Sequence, residues 1–341
     1  MRPAMNDAPG ILPRQSIDAL IAAGAIDADG GLEADQTQPA SLDLRLGARA
    51  WRTRASFLPR ANGAVAERIA DVAMHELDLA GGAVLERGCV YMAEVRERLR
   101  LPPKVRARAN PKSSTGRVDV FVRLLTDGQP AFDDIAPGYV GPMFVEIAPQ
   151  TFSVLVRAGT RLNQVRLKRG APPVLSVKNV GVDLSDGVTG FRARRHAGVI
   201  DMDVEGGHDP RDFWEALAPR RGELLLDPGE FYILASKDAI VIPVLQAAEM
   251  TPIDPAVGEF RVHYAGFFDP GFGTLEAGGE GSRGVLEVRS HETPFILEDG
   301  QTVARLVFEP LIERPDRLYG AGGSHYQRQG LRLSKHFAAW T

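Results

Sequence analysis

The feature that most constrains this chain is an internal repeat with an offset of 141 residues. The segment LERGCVY at residues 85–91 recurs as LDPGEFY at residues 226–232. Three further pairs keep this offset to within one residue: 42–44 with 182–184, 145–147 with 286–288, and Gly159 with Gly300. Such self-similarity indicates a tandem duplication. We therefore predict two domains, residues 1–170 and 171–341, joined near the proline pair that follows Gly170.

Each copy has an alternating apolar pattern. Segments such as FSVLV at 152–156 and VARLVF at 303–308 lie between Gly, Pro and Asp residues, which is typical of β-strands joined by turns. Glycine and proline, 36 and 24 of 341 residues, favour many turns over long helices. The predicted fold is therefore mainly β, with a β-sandwich or jelly-roll-like barrel in each copy.

Two short helices are predicted outside this pattern. The first would start at Ser16 as its N-cap, bury an apolar stripe that begins at Ile17, and end at Gly24 in the left-handed conformation. The second would cover residues 209–217, with Asp209 as its N-cap. Neither carries a residue pattern that indicates chemistry.

Composition excludes several classes of protein. Forty basic and 44 acidic side chains give a net charge of −4, so the chain as a whole does not attract a nucleic-acid polymer. The single cysteine, Cys89, excludes an internal disulfide and any multi-cysteine zinc or iron–sulfur site. No run reaches the ~18 apolar residues that a membrane helix requires. The first residues also lack the apolar core of a secretory signal, so we expect a cytoplasmic protein.

Two segments carry the residue types of a ligand site. NPKSSTGR at residues 110–117 brings two cations, three hydroxyls and a glycine together, which suits one polyphosphate anion. The segment lacks the spacing of a Walker loop, and on composition alone a polar surface turn is the alternative interpretation. AGFFDPGFG at residues 265–273 is typical of a tight hairpin that exposes Asp269 and backbone amides beside aromatic rings.

Together with the duplication, these segments resemble the dCTP deaminases of the dUTPase superfamily, in the long form built from two fused copies. The resemblance is carried by four segments: the first motif (QPASLDLRLG, 38–47), the phosphate-binding second motif (PKSSTGR, 111–117), the third motif (265–273 with VLE, 285–287) and the C-terminal lid (Tyr319 and SHYQRQG, 324–330). The resemblance implies two tandem dUTPase-like β-sandwich domains and a short N-terminal helix.

The resemblance also implies which residues form the site. Glu287 would move protons, while Arg117 and Ser113 would place the attacking water and stabilise charge. Substrate contacts are implied for Lys112, Ser113, Ser114, Thr115, Gly116, Arg117, Ala265, Asp269, Val285, Leu286, Tyr319, His325 and Gln329. Without the family resemblance, the favoured interpretation of Glu287 is an outward strand residue that pairs with Arg289 or Arg305.

The two copies have kept different motifs. Where the second copy should repeat the phosphate-binding loop, it reads TPIDPA at 251–256, without a basic residue. The first copy retains Glu146, but its hairpin at 126–137 is lengthened. In this superfamily the loop of one domain meets the hairpin of a neighbouring domain. We therefore predict a single composite site, in which residues 112–117 face residues 265–287 and Glu146 is vestigial.

The implied reaction is hydrolytic deamination of dCTP to dUTP and ammonia, in the supply of deoxypyrimidine nucleotides. Zinc is not expected, because the His/Cys-x-Glu and Pro-Cys-x-x-Cys signature of cytidine-type deaminases is absent. Mg²⁺ is expected to accompany the triphosphate without a protein cage. Two alternatives stay open: a dUTP diphosphatase or bifunctional enzyme, and a non-catalytic nucleotide-binding regulatory module. We expect a homo-oligomer with sites between domains, and no membrane partner.

Overall fold

A computed structural model describes residues 8–185, 187–219, 221–253, 260–262, 266–290, 292–320 and 330–341. The described chain is mainly β, as the alternating pattern predicts. Within these residues, no helix has both the length and the apolar composition needed to cross a membrane. The predicted domain boundary at residue 170 stays a prediction.

The helices are few and short. They are α1 (Arg14–Ala22), α2 (Val65–Val72) and α3 (Ser113–Gly116). The strands that precede residue 170 are β1 (Gly10–Ile11), β2 (Ile26–Ala28), β3 (Leu42–Leu44), β4 (Leu46–Thr53), β5 (Ala73–Asp78), β6 (Ala83–Leu85), β7 (Val90–Arg100), β8 (Val105–Pro111), β9 (Val120–Thr126), β10 (Asp134–Ile135), β11 (Val140–Pro149), β12 (Val154–Val156) and β13 (Asn163–Arg169).

The second half repeats much of this order. Its strands are β14 (Ser176–Gly181), β15 (Gly190–Ala193), β16 (Ile200–Asp201), β17 (Trp214–Leu217), β18 (Glu223–Leu226), β19 (Phe231–Ile240), β20 (Gln246–Thr251), β21 (Phe260–Val262), β22 (Phe267–Phe268), β23 (Ser282–Ser290), β24 (Phe295–Glu298) and β25 (Thr302–Pro310). In the first half, β5-β4-β7-β11-β9 form one sheet and β1-β13-β8-β10 another. The second half has the corresponding sheets β17-β15-β19-β23-β21 and β14-β25-β20-β22.

The offset of the repeat is preserved in strand register. Glu146 of β11 pairs with Met92 of β7, and Glu287 of β23 pairs with Ile233 of β19. Each residue of the second pair therefore lies 141 positions after its counterpart in the first pair. Because a one-residue slip would turn every side chain to the opposite face, equal register places the two glutamates on equivalent faces of equivalent sheets.

A tyrosine fixes the same turn in both copies. The N–H of Glu86 donates to the Tyr91 hydroxyl at 3.0 Å, and the N–H of Asp227 donates to the Tyr232 hydroxyl at 2.9 Å. Both tyrosine rings are buried. The conserved glycine between donor and acceptor in each turn, at residues 88 and 229, has a positive φ, a conformation that side chains disfavour.

The N-terminal helix starts earlier than its sequence predicts. Helix α1 begins at Arg14, and the N–H of Arg14 donates to the Pro39 carbonyl at 3.0 Å. A neighbouring backbone segment thus satisfies the first helical donor, and the prediction of Ser16 as N-cap is wrong. The Ser16 hydroxyl instead donates to Glu313 at 2.9 Å. Gly24 has the predicted left-handed conformation, with φ of 72°.

The helix predicted over residues 209–217 is largely wrong. Asp209 does cap a turn, because its carboxylate accepts the N–H of Arg211 at 2.9 Å, but only the 3-10 turn Pro210–Asp212 follows. The chain then pairs as β17 with β15. Trp214 on this strand is fully buried, 5.3 Å from the ring of Phe152 in the first half. Burial of this large ring across the two halves outweighs local helix preference.

Residues at equivalent positions of the repeat meet across the interface with opposite charges. Arg108 Nε lies 2.9 Å from Glu249 Oε1, and Lys168 forms an ion pair with Glu309. Both pairs are separated by the repeat offset. A residue that contacts its own counterpart in the other copy lies near the rotation axis that relates the two copies. Identical copies would bring like charges together there, so sequence divergence at these positions has replaced repulsion by attraction.

The Lys168–Glu309 pair yields a test of this interface. We expect Lys168→Glu to lower the free energy of unfolding in urea by roughly 2–4 kcal/mol, because two largely buried carboxylates would then meet. The double variant Lys168→Glu with Glu309→Lys should recover most of this loss. A coupling free energy near zero in this cycle would contradict a stabilising role for the pair.

Candidate active site

A cavity of about 380 Å³ lies where the two halves of the chain meet. Its walls include α3 from the first half and β22 and β23 from the second. Five cationic side chains face it: Lys112, Arg117, Arg161, Arg317 and Lys335. Five carboxyl groups face it as well: Asp35, Asp43, Glu205, Asp269 and Glu287. A polyanionic ligand would therefore reach the cations by displacing carboxylates that are paired with them.

The phosphate-binding loop is a single helical turn that follows β8. The carbonyl of Lys112 accepts the N–H groups of Thr115 and Gly116 at 2.8 and 3.0 Å. This turn places Lys112, Ser113 and Ser114 on the wall of the cavity, while Thr115 is fully buried behind it. Lys112 is held by an ion pair with Asp43 of the first motif.

The hairpin of the second half is positioned by side chains of the first half. The N–H of Gly266 donates to Asn110 Oδ1 at 3.0 Å. Arg166, which is 1% exposed, donates to Asp269 Oδ1 at 2.9 Å and to the Ala248 carbonyl at 2.9 Å. Its guanidinium also lies 4.1 Å from the ring centroid of Phe267. The predicted meeting of loop and hairpin therefore occurs within one chain.

Glu287 lies on β23 at the centre of this meeting and is 1% exposed. A Cβ atom placed on Gly116 would lie 2.9 Å from Glu287 Oε2, so a larger residue at position 116 would displace the carboxyl group. Oε2 is buried and has no hydrogen-bond donor among the side chains and backbone that the structure describes. The carboxyl group therefore lies on the cavity wall with one buried oxygen unsatisfied by the described residues.

The alternative interpretation of Glu287 as an outward residue paired with arginine is wrong. Arg289 instead forms an ion pair with Asp119 and donates to Thr151 Oγ1 at 2.7 Å. Arg305 donates to the Pro252 carbonyl at 3.1 Å. Both arginines are thus engaged elsewhere, and Glu287 is buried.

Burial raises the pKa of Glu287 to about 8. The positive charge of Arg117 opposes this rise, and the negative charge of Asp119 adds to it. A carboxyl group with a pKa near neutrality can both accept and return a proton at physiological pH. Such a shift, together with a cavity and a named charged neighbour, is typical of functional sites.

Arg117 is buried beside the loop that it ends, with 3% exposure. Its Nη1 donates to the Arg332 carbonyl at 3.1 Å and to the Leu333 carbonyl at 3.5 Å. The guanidinium also lines the cavity. Its orientation therefore depends on residues more than 200 positions later in the chain.

Tyr319 closes another side of the cavity. Its backbone N–H donates to the Pro270 carbonyl at 2.9 Å, and its ring centroid lies 5.3 Å from that of Phe272. The third-motif hairpin and the start of the tail are thereby joined.

Most of the residues predicted for the site are brought together. Those that line the cavity are Lys112, Ser113, Ser114, Arg117, Asp269, Val285, Glu287 and Tyr319. Gly116 contributes backbone against Glu287, but the buried side chain of Thr115 does not line the cavity. The side chain of Leu286 lies on the opposite face of β23, in the second core, and does not line the cavity. Ala265, His325 and Gln329 lie outside the described residues.

Several cavity residues were not predicted. They include Asp35, Gln38, Asp43, Arg161, Gln164, Glu205, Phe267, Phe272, Arg317 and Lys335. Gln38 and Asp43 belong to the first motif, and the two phenylalanines belong to the third, so weighting whole motifs would have found them. Arg161, Glu205 and Lys335 stand in no quoted motif, and only tertiary packing brings them to the cavity.

The equivalent glutamate of the first copy has a different environment. Glu146 is also 1% exposed, but Arg123 Nε donates to its Oε1 at 3.0 Å. The Arg123 guanidinium lies 3.9 Å from the ring centroid of Phe132. An apolar cluster that includes Val65 and Ile69 of α2 packs on this part of the sheet. The first copy's carboxyl group is therefore neutralised within its own half.

Family models agree with this two-part architecture. The N-terminal domain of 2'-deoxycytidine 5'-triphosphate deaminase matches residues 8–171, and the C-terminal domain matches residues 159–337. The chain belongs to the dCTP deaminase family. The resemblance inferred from the motifs is confirmed.

Two relatives of this dCTP deaminase family member are informative. The crystal structure of 2'-deoxycytidine 5'-triphosphate deaminase from Agrobacterium tumefaciens is 50% identical, with a TM-score of 0.85, over 89% of this chain and 99% of that chain. A dCTP deaminase from Halorubrum lacusprofundi is 29% identical over 132 residues, which are 38% of this chain. That match spans 62% of the Halorubrum protein, less than two thirds of its length.

The raised pKa of Glu287 predicts a pH-dependent stability. The folded state favours the protonated carboxyl group, so this contribution is complete below pH ~4.5 and is lost as pH rises to about 8. We expect Glu287→Gln to gain stability over the unmodified protein by a few kcal/mol between pH 5 and pH 9. Urea unfolding at both pH values measures this difference.

Glu146→Gln is the matched control for this experiment. It removes an equivalent buried carboxylate but leaves Arg123 without its partner, so we expect it to be less stable than the unmodified protein. A stability difference for Glu287→Gln that stays constant between pH 5 and pH 9 would contradict the assignment of a raised pKa.

Proposed function

We propose that this protein deaminates dCTP to dUTP and ammonia. The observation that carries the proposal is a buried carboxyl group, Glu287, with a pKa raised to about 8, on the wall of a cavity that five cationic side chains also line. Family membership supports a cytosine deoxynucleotide as substrate. In the proposed reaction Glu287 is the proton-transfer group and the cationic side chains bind the polyphosphate.

Glu287 would act as the proton shuttle. Water adds to C4 of the cytosine ring as the carboxylate takes one proton, and that proton is then given to N3. The hydroxyl proton of the resulting tetrahedral intermediate is passed to the amino group, which leaves as ammonia as the C4 carbonyl forms. The carboxylate is restored, and dCTP plus water has become dUTP plus ammonia.

Ser113 and Arg117 would support this step from the first half of the chain. Both line the cavity beside Gly116, whose backbone touches Glu287. A hydroxyl and a guanidinium in a site shielded from water can orient the attacking water and stabilise the developing negative charge.

The triphosphate would bind to Lys112 and the other cationic residues of the cavity. In the structure Lys112 is paired with Asp43 and Lys335 with Glu205, so a triphosphate would compete with these carboxylates for the lysines. Mg²⁺ would take its ligands from phosphate oxygens and water, since no group of three His, Cys, Asp or Glu side chains converges among the described residues. Mg²⁺ would then neutralise phosphate charge.

Zinc is not part of the proposed reaction, because the zinc site of cytidine-type deaminases uses at least two cysteine ligands and the sequence has one cysteine. Four other described carboxyl groups of the cavity, those of Asp35, Asp43, Glu205 and Asp269, form ion pairs with lysine or arginine. Glu287 is therefore the proposed proton-transfer group.

A dUTP diphosphatase reaction is less well supported. It would need a carboxylate free to activate water at the α-phosphate, and Asp269 is the candidate in the hairpin. Asp269 is bound to the buried guanidinium of Arg166 at 2.9 Å, so it is committed to holding the two halves together. Deamination without further hydrolysis is therefore the proposed reaction.

The proposal is tested by incubating the purified protein with dCTP, dCMP and CTP in the presence of Mg²⁺ and measuring ammonia, uracil nucleotides and pyrophosphate. We expect ammonia and dUTP from dCTP. Pyrophosphate release would favour the diphosphatase or bifunctional alternative. Tight dCTP binding without ammonia release would favour a regulatory module.

Arg117→Ala should reduce kcat/KM for dCTP by roughly 10- to 100-fold, because a charge-assisted contact contributes about 1.5–3 kcal/mol. Steady-state kinetics with dCTP measure the loss. Arg305→Ala is the control, because this arginine bonds the Pro252 carbonyl and does not line the cavity. Equal kinetics for the two variants would remove Arg117 from the proposed mechanism.

The two equivalent glutamates should respond differently to the same substitution. Glu287→Gln should lower kcat by roughly 10²–10⁴-fold, because an amide keeps the shape but cannot move a proton. Glu146→Gln should retain kcat within about threefold, since Arg123 already neutralises this carboxylate. Ammonia release from dCTP is the measurement, and an equally inactive Glu146→Gln protein would disprove the vestigial role of Glu146.

A further inference from the structure

Residues 330–341 form a C-terminal segment that is anchored in both sequence halves. The ring centroid of Phe337 lies 5.3 Å from Phe213 and 5.9 Å from Trp214, within the core that extends into the first half. The N–H of Gly206 donates to the Lys335 carbonyl at 2.9 Å. Ser334, between these anchors and the cavity, is 2% exposed.

Two sets of hydrogen bonds join this segment to the phosphate-binding loop. Ser334 Oγ donates to the Ser114 carbonyl at 2.8 Å. In the reverse direction, Arg117 Nη1 donates to the carbonyls of Arg332 and Leu333. The segment thus binds the loop at its backbone and at its final side chain.

The Ser114 carbonyl is available because of how the loop turns. The N–H of Arg117 donates to the Ser113 carbonyl at 3.1 Å, and the N–H of Val118 donates to the Thr115 carbonyl at 3.2 Å. The Ser334 hydroxyl binds the carbonyl that lies between these two. A buried carbonyl without a donor would cost about 1–3 kcal/mol, so this hydroxyl has a defined place in the fold.

The carbonyls of Arg332 and Leu333 carry no net charge, so they orient the Arg117 guanidinium without neutralising it. Its positive charge still acts on Glu287, where it opposes the effect of burial on the carboxyl pKa. Displacement of the two carbonyls would remove two hydrogen bonds that constrain the guanidinium. The pKa of Glu287 would then rise, although no residue in contact with Glu287 had been altered.

We propose that Ser334 is a positioning residue, which fixes the Arg332 and Leu333 carbonyls against the loop and thereby holds Arg117 in place for Glu287. Its catalytic consequence rests on the deamination proposed above. Ser334 itself does not line the cavity, so it acts through Arg117 and not on the substrate.

The first test compares Ser334→Ala, Ser334→Thr and Ser16→Ala in steady-state kinetics with dCTP between pH 6 and pH 10. We expect Ser334→Ala to lower kcat by about 10-fold or more with KM changed less than threefold, and to move the acidic limb of the pH profile to higher pH. Ser334→Thr keeps the hydroxyl and should recover most of kcat. Ser16→Ala loses an exposed hydroxyl that binds Glu313 and should behave as the unmodified protein.

The second test does not depend on turnover. In protein labelled with ¹³C at glutamate carboxyl groups, the Glu287 resonance is assigned as the one that disappears in Glu287→Gln. We expect it to titrate at higher pH in Ser334→Ala than in the unmodified protein, because Arg117 would no longer be held in place. A lower thermal midpoint with an unchanged titration and pH profile would show a merely structural role and overturn the proposal.

The two tests separate the proposals. If dCTP yields no ammonia but the Glu287 titration shifts in Ser334→Ala, the positioning role stands and the proposed reaction fails. If dCTP is deaminated but neither kcat nor the titration changes in Ser334→Ala, the reaction stands and the positioning role fails.

Discussion

A buried guanidinium, that of Arg166, connects the two halves beside the cavity. An ion removed from water costs several kcal/mol unless its charge and donors are satisfied, and here Asp269 and the carbonyls of Ala40, Ala248 and Phe268 satisfy them. Three of these four partners belong to the second half. Since Arg166 lies on β13, which pairs with β8 just before the phosphate-binding loop, this contact sets the distance between loop and hairpin. The cavity is the space that remains between them.

Much of this arrangement could be predicted because both copies of the repeat have the same strand register. The offset places Glu146 and Glu287 at equivalent positions, and the loss of basic residues at 251–256 indicated that the halves are complementary. Arg166 could not be predicted, because an arginine in an alternating strand is ordinarily exposed and only packing of the second half buries it. The position of the Leu286 side chain in the second core could be predicted, because side chains alternate along a strand and Glu287 faces the cavity.

The duplication produced two equivalent carboxyl groups, those of Glu146 and Glu287, whose surroundings differ. Register, burial and strand position are the same for Glu146 and Glu287. The difference arises from the neighbours: Arg123 and Phe132 fill the space beside the first glutamate, whereas Gly116 leaves space beside the second. The proposed proton-transfer group therefore differs from its counterpart in the side chains that surround it. The sequence of the strand alone does not distinguish the two.

The position of the C-terminal segment also bears on the order in which the protein folds. Ser334 follows the loop residue that it binds by 220 positions, and Phe337 completes an aromatic cluster that begins with Phe152. During synthesis, N-terminal segments are available to fold first, so the first half is complete as a chain before part of its own core has been made. Contacts of such sequence separation slow folding because a long loop must close before they form. The first half therefore cannot complete its core until the C-terminal segment has been synthesised.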